Sequence, residues 1–72
     1  MGDLLPLAAV DRIIRKAAPN SRVADDASKE LREVLEDYGV KVAQKAFAFS
    51  EHAGRKTVTA EDIKLVMKEQ SP

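Results

Sequence analysis

Two short stretches of this sequence carry bases without any acid, and their residues are the ones best suited to a chemical task. The first stretch, residues 12–22, contains Arg12, Arg15, Lys16 and Arg22, and the second, residues 53–60, contains Arg55 and Lys56 followed by Thr57. Guanidinium, ammonium and hydroxyl groups are donors that hold the phosphates of a nucleic acid. The net charge of the chain is zero, so this clustering, rather than overall charge, points to a polyanion.

The acids of the chain gather between those two stretches. Residues 25–53 hold seven acids against four bases, and the acids are Asp25, Asp26, Glu30, Glu33, Glu36, Asp37 and Glu51. A helical segment with this pattern is typical of a solvated flank rather than a binding surface. The sequence therefore predicts that these acids face the solvent.

Catalysis and metal binding are not expected from these residues. The chain has no cysteine and one histidine, His52, and a single imidazole cannot hold a metal ion alone. It offers no nucleophile–base set and no glycine-rich phosphate loop, so we expect neither an enzyme nor a cofactor. The opening residues lack the basic lead of a signal peptide, and no apolar run could cross a bilayer. We therefore expect an intracellular protein without a membrane partner.

The first and third predicted helices are short. The first has Pro6 at its first position and stops at Pro19-Asn20, because proline suits the start of a helix and breaks its interior. Its apolar stripe consists of Val10, Ile13, Ile14 and Ala17. The third begins at Thr59, whose hydroxyl is expected to cap the helix while Asp62 reaches back, and it frays before Pro72. Its buried stripe consists of Ile63, Val66 and Met67.

A much longer helix is predicted between them, from Asp25 to Ala53, with Gly54 as its C′ residue. Its apolar positions are Ala27, Leu31, Val34, Leu35, Tyr38, Val42, Ala46, Phe49 and Ala53. At a rise of 1.5 Å per residue this helix spans about 43 Å, whereas a compact domain of this size is roughly 30 Å across. The linkers at residues 20–24 and 55–58 are too short to form a sheet. We therefore expect one all-α domain over residues 1–72, with a second copy covering the centre of the long helix.

Gly39 lies at the midpoint of the predicted long helix. Glycine inside a helix costs about 1 kcal/mol relative to alanine, and the close crossing of two such helices in a dimer would offset that cost. An incidental glycine or a kink is the alternative. Because the helix length already calls for a second copy, we favour the dimer helix crossing.

The residues and their order resemble the archaeal histones. The resemblance rests on Asp11-Arg12-Ile13-Ile14-Arg15, Arg22-Val23, Asp25-Asp26-Ala27 and the run His52-Ala53-Gly54-Arg55-Lys56-Thr57-Val58-Thr59-Ala60-Glu61-Asp62-Ile63. It implies a histone fold of short, long and short helices, an antiparallel handshake dimer, and DNA wrapped around dimers that associate in series. It also implies double-stranded DNA as a partner, a homodimer or a heterodimer with a paralogous histone, and a place on the chromosome (nucleoid) in the cytoplasm.

The basic stretches gain a common role in such a dimer. When two long helices cross, the first loop of one chain lies beside the second loop of the other, so Arg22 comes near Lys56 and Thr57 of the second copy. Together they form an edge that binds phosphate without reading base sequence. Arg12 and Arg15, three residues apart and opposite the apolar stripe, add contacts to the DNA. The resemblance favours Arg12 for the minor groove.

The resemblance implies structural roles for the remaining polar residues. Arg55 and Asp62 form a salt bridge that locks the second loop to the third helix, with a phosphate contact by Arg55 as the alternative. Phe49, His52, Asp62 and Leu65 form a four-helix contact that joins one dimer to the next. Phe49 as ordinary core and His52 as a cation at a helix C-terminus are the alternatives.

Two features depart from the archaeal-histone pattern. The first loop reads Ala18-Pro19-Asn20-Ser21, one residue longer and stiffer than the short glycine-containing loop usual in that family, and the chain is neutral. Extended fibres are therefore less firmly expected than dimers. The alternative function is a histone-fold interaction module of the transcription-factor type, which pairs with a different chain and contacts DNA weakly. Self-association of the pure chain separates the two functions.

Overall fold

Three helices and no strand make up the part of the chain that the computed structural model describes, residues 4–70. They are α1, Leu7–Ala17; α2, Asp25–His52; and α3, Ala60–Gln70. The predicted all-α order of short, long and short helices is confirmed. None of these three helices is both long and apolar enough to cross a membrane. Residues 1–3 and the predicted fraying before Pro72 lie outside the described residues.

Proline and glycine set the ends of the helices within one residue of the prediction. Pro6 is the N-cap of α1 rather than its first residue, because its backbone is extended (φ −65°, ψ 135°). Gly54 follows the end of α2 with a φ of 73°, which glycine adopts without steric cost. Its N–H donates to the Glu51 carbonyl at 2.9 Å, and the Arg55 N–H donates to the Ser50 carbonyl at 2.9 Å. These two bonds help to satisfy the last carbonyls of α2, and the Ser50 carbonyl also accepts the N–H of Ala53 at 3.2 Å.

The chain divides into two compact units, Met1–Asp37 and Tyr38–Pro72, and α2 contributes residues to both. In the first unit α1 buries Val10, whereas Ile13, predicted in the same stripe, is exposed. The α2 residues buried there are Ser28 and Glu36. The prediction of a solvated flank is therefore wrong for Glu36, which is 6% exposed. The physical reason is that its carboxylate accepts two backbone hydrogen bonds from residues 4 and 5.

The second unit has an apolar core between the rest of α2 and α3. The buried residues Val42, Ala46 and Val66 form its centre, and Phe49 and Ile63 pack against them. The Tyr38 hydroxyl also donates to Gln70 Oε1 at 3.1 Å. The predicted stripe of α3 is wrong at Met67, which is exposed, because Val66 takes the centre of the buried face.

Candidate nucleic-acid interface

The second loop, residues 53–59, is held in shape by Asp62 in the first turn of α3. Arg55 Nη2 donates to Asp62 Oδ1 at 2.8 Å and Arg55 Nη1 donates to Asp62 Oδ2 at 3.2 Å, which makes a bidentate ion pair. The same Nη1 donates to the carbonyl oxygen of Thr57 at 3.0 Å. Arg55 is thus engaged by its own chain and fixes the loop on both sides.

Asp62 also holds the residue that precedes α3. Its Oδ2 accepts from the Thr59 N–H at 2.8 Å and from the Thr59 hydroxyl at 3.1 Å. The Asp62 N–H donates to the Thr59 carbonyl rather than to the hydroxyl. The predicted capping is therefore half formed: the carboxylate reaches back as expected, but the hydroxyl donates to that charged acceptor instead of capping a backbone N–H.

These contacts fix the ionisation of the pair. Asp62 is 1% exposed, and the hydrogen bond from Arg55, followed by that from the Thr59 N–H, holds the pKa of Asp62 well below its ordinary value of 3.8 although burial opposes this. The hydrogen bond to Asp62 raises the pKa of Arg55 in turn. Both groups therefore stay charged at physiological pH, and loop 53–59 keeps its shape there.

We expect Asp62→Asn to lower the melting temperature near neutral pH by about 5 °C or more, because it removes a charged acceptor from several donors. A lowered carboxylate pKa contributes stability that is complete above the ordinary value of 3.8 and is lost as the pH falls below it. The unaltered chain should therefore lose this contribution in acid, and the variant should show a shallower acid dependence. Thermal unfolding followed by circular dichroism at neutral and acid pH measures both. Asp37→Asn, which changes an exposed acid, is the control. Equal unfolding curves for Asp37→Asn and Asp62→Asn would contradict the role of Asp62 in holding the second loop in shape.

The part of the loop beyond Arg55 keeps free donors. The backbone N–H groups of Lys56, Thr57 and Val58 have no hydrogen-bond partner among the described residues, and the Lys56 ammonium makes no ion pair with them. All three residues are exposed. Successive free N–H groups beside a lysine and a threonine hydroxyl suit a phosphate. The loop therefore combines a frame fixed by Arg55 with a neighbouring row of backbone donors that the described residues do not use.

The first basic stretch divides into free and engaged cations. Arg12 and Arg22 are exposed and make no hydrogen bond or ion pair through their side chains with any part of residues 4–70. Arg15, grouped with Arg12 by the sequence prediction, instead donates from Nε to Asp11 Oδ2 at 2.7 Å. An acid four residues before an arginine on a helix is a known pairing signal, so this contact was readable from the sequence. The Asp11 carboxylate neutralises part of the Arg15 charge, so Arg15 is a weaker candidate for a phosphate than Arg12 or Arg22.

The four residues predicted to join one dimer to another have different environments. His52, the last residue of α2, is exposed and unpaired within the described chain, and Leu65 is 46% exposed. Phe49 is half-buried against the core of the second unit. Asp62 is enclosed by its own chain, since its two oxygens already accept four hydrogen bonds. Of these four residues, His52 and Leu65 are exposed, Phe49 is partly exposed, and Asp62 is buried.

Part of α2 carries apolar side chains on the side away from its own core. Val40 and Phe47 are both exposed, and residues seven apart lie on one side of a helix. Val42 and Ala46 face the core on another side. A side chain added at Gly39 would meet nothing within 4 Å. The sequence prediction assumed one apolar stripe along α2 and therefore missed the second face.

The sequence was compared with known proteins. It matches the family model described as histone-like transcription factor (CBF/NF-Y) and archaeal histone over residues 3–67. It is 55% identical over 64 residues to one of the subunits named for the archaeal histone HAN1 of Thermococcus zilligii, and the match covers 89% of this chain and 94% of that protein.

Two further relatives are less similar to this chain, and one is named as a histone and the other as a transcription factor. Probable archaeal histone 3 of Methanocaldococcus jannaschii is 39% identical over 64 residues, which are 89% of this chain and 94% of that protein. A nuclear transcription factor Y protein of Arabidopsis thaliana is 38% identical over 60 residues, which are 82% of this chain and 25% of that protein.

Proposed function

We propose that this chain, which belongs to the family of histone-like transcription factors (CBF/NF-Y) and archaeal histones, binds and bends duplex DNA as a dimer and packages it without reading base sequence. One observation carries the proposal. The loop held by Arg55 and Asp62 presents the N–H groups of residues 56–58 and the ammonium of Lys56, none of which has a partner among the described residues. Two archaeal histones at 55% and 39% identity support it.

The dimer follows from the uncovered face of α2. Val40 and Phe47 expose apolar surface that a single chain leaves in water, and burying such surface drives association. Gly39 leaves room for a second helix to approach, which explains a residue that otherwise weakens the middle of α2. We place the crossing of two α2 helices at this glycine, with the apolar face against the second copy.

The dimer assembles the DNA-binding edge. In this arrangement Arg22 of one chain lies beside Lys56 and Thr57 of the other, and Arg12 on α1 extends the edge. These donors hold phosphates and the inward-facing minor groove, and none of them reads a base. Bending 20 to 30 base pairs by 40 to 90° costs on the order of 1 to 6 kcal/mol, which several charge-assisted contacts offset. Easily bent sequences should therefore be preferred.

Dimers then associate through the ends of α2. His52, Leu65 and the outer part of Phe49 provide the contact, while Asp62 acts indirectly by holding Arg55 in the adjoining loop. The second chain of each dimer is a copy of this one or a paralogue. The relative in Thermococcus zilligii is named as one lettered subunit of its histone. That name supports the paralogue as the second arrangement.

We expect His52→Ala to leave the dimer intact and to shorten the DNA that the protein protects, because it removes a polar group from the contact between dimers only. Nuclease digestion of DNA reconstituted with the pure protein measures the protected lengths. A single length for the unaltered chain indicates a closed particle, and a regular ladder indicates an open polymer.

Lys64→Ala, a change of an exposed α3 residue paired with Glu61, is the matched control and should not alter the lengths. A His52→Ala variant that dissociates into single chains, or that protects unchanged lengths, would contradict the assignment of His52 to the contact between dimers.

The second candidate is a transcription-factor module that pairs with a different chain. The similarity to the nuclear transcription factor Y protein of Arabidopsis thaliana over most of this chain favours it, and so does the zero net charge. A chain of this kind would stay unfolded alone and fold when its partner is added. DNA binding by the pure chain excludes it.

A further inference from the structure

Glu36 is the one acid of α2 that is buried, and the DNA-binding account gives it no role. Its carboxylate accepts the N–H of Leu4 at 2.9 Å and the N–H of Leu5 at 2.8 Å, both at Oε2. Within the described residues 4–37, no other hydrogen bond joins α2 to α1 or to the residues just before α1. Leu4 and Leu5 are 32 and 31 residues away from Glu36 along the chain, so the contact is a tertiary one.

The Glu36 carboxylate is buried and depends on this contact for its hydrogen bonds. Glu36 is 6% exposed, and its other oxygen, Oε1, is buried without a hydrogen-bond partner, as is the neighbouring Arg32 Nε. A buried carboxylate needs hydrogen bonds to offset the loss of its water. Among the described residues, these two backbone N–H groups are the donors to Glu36, and Glu36 is the only hydrogen-bond acceptor for the N–H groups of residues 4 and 5.

α1 depends on this anchor because little else fixes its beginning. Its N-cap is Pro6, which makes no side-chain capping bond, and helices of only 11 residues are marginal by themselves in water. The only residue of α1 that is fully buried is Val10. Anchoring the two residues immediately before the helix therefore limits where α1 can lie on α2.

We infer that Glu36 is a positioning residue for DNA binding: it fastens the segment Leu4–Leu5 to α2 and thereby sets the place of α1 and of Arg12 on the DNA-binding edge. The inference rests on the proposed function, since Arg12 is one of the proposed DNA contacts. Glu36 is an acid, and an acid repels phosphate, yet the inference gives Glu36 a favourable effect on DNA binding. That sign is opposite to what simple electrostatics predicts.

The test compares Glu36→Ala with Glu33→Ala, which removes an exposed acid three residues earlier on α2. Each variant has the same change in charge. Amide hydrogen exchange at Leu4 and Leu5 should speed up about tenfold or more in Glu36→Ala, because a hydrogen bond to a charged acceptor is lost, and should not change in Glu33→Ala. DNA binding should weaken about threefold in Glu36→Ala, since α1 spends less time in place, and should be unchanged or tighter in Glu33→Ala.

Four further variants keep the test independent of folding defects. Leu4→Pro removes one of the two donors without touching Glu36, and Leu4→Ala retains that donor; Leu4 is 75% exposed, so neither change costs much packing. Leu4→Pro should weaken DNA binding and Leu4→Ala should not, and Leu4→Pro added to Glu36→Ala should have little further effect. Glu36→Gln keeps an acceptor oxygen and should restore part of the exchange protection.

Unchanged exchange at Leu4 and Leu5 in Glu36→Ala would overturn the anchor. Lost protection with DNA binding as tight as in Glu33→Ala would overturn the positioning role. If the unaltered chain bound no DNA, the proposed function would fail while the exchange result still decided whether Glu36 holds the segment, so the two failures are distinguishable.

Discussion

Phe47→Glu is expected to raise the dissociation constant of self-association by at least about 10³-fold. Phe47 is 45% exposed in the single chain, and in the proposed dimer two such rings leave water at the crossing of the α2 helices. Each glutamate would forfeit roughly 2 kcal/mol of apolar burial and would add an unpaired charge to the interface. Sedimentation equilibrium over a range of concentrations measures the constant, with circular dichroism to follow helix content.

Leu65→Glu is the matched control for this prediction. Leu65 is 46% exposed, so the change in charge and the lost exposed area are comparable. It lies on α3 in the proposed contact between dimers, and its replacement should leave the dimer intact. A Phe47→Glu chain that self-associates as tightly as the unaltered one would place the dimer interface elsewhere, and equal losses in both variants would show that the effect is one of general folding.

The same measurement on the unaltered chain separates the two candidate functions. A dimer that forms from the pure protein favours the DNA-packaging function. A chain that remains unfolded until another protein is added would favour the interaction module of the transcription-factor type.

The helices could be predicted because local chemistry sets their ends. Pro6 and Gly54 act on the backbone near them, and α1 begins and α2 ends within one residue of the limits that they indicated, whereas α1 ends at Ala17, two residues before Pro19. The resemblance to archaeal histones is also confirmed by the family match and by the relative at 55% identity. Here the order of motifs along the chain carried the information, and it did not depend on knowing any tertiary contact.

The side of α2 that faces each neighbour could not be predicted in the same way. Apolar residues occur on more than one side of this helix, so periodicity alone does not tell which side its own chain covers. The structure buries Val42 and Ala46 and leaves Val40 and Phe47 exposed. Such a choice depends on where α3 packs, which is a matter of tertiary structure.

Glu36 illustrates the same limit for a charged residue. It stands among six other acids in residues 25–53, and nothing in its neighbourhood along the sequence distinguishes it. Its partners are backbone N–H groups 31 and 32 residues away, and every residue except proline carries such a group. The Asp11–Arg15 pair is different, because its spacing of four residues on a helix is visible in the sequence.

The salt dependence of DNA binding has an expected effect as large as that of Phe47→Glu, because the proposed contacts are almost entirely to phosphate. Arg12, Arg22 and Lys56 are the exposed cations of the proposed edge that make no ion pair within residues 4–70, and a dimer presents each of them twice. Each neutralised phosphate contributes about −0.9 to the slope of log affinity against log salt, so a slope of about −5 is expected. Arg15 and Arg55 add less, because each is already paired with a carboxylate of its own chain.

The double variant Arg22→Ala/Lys56→Ala shows where that slope comes from. It removes four cations from a dimer and should reduce the magnitude of the slope by about 3 to 4, and it should weaken binding to all sequences about equally. Lys64→Ala/Lys68→Ala, which removes two exposed lysines of α3 and has the same change in net charge, should leave the slope near that of the unaltered chain.

The most direct test of the central claim is therefore a titration of salt against the affinity of the unaltered protein for mixed-sequence duplex DNA. We expect the affinity to fall about 10³-fold between about 50 and 200 mM salt, with little difference between sequences of equal flexibility. An affinity that stays constant over this range, or one that depends on a particular base sequence, would contradict the account.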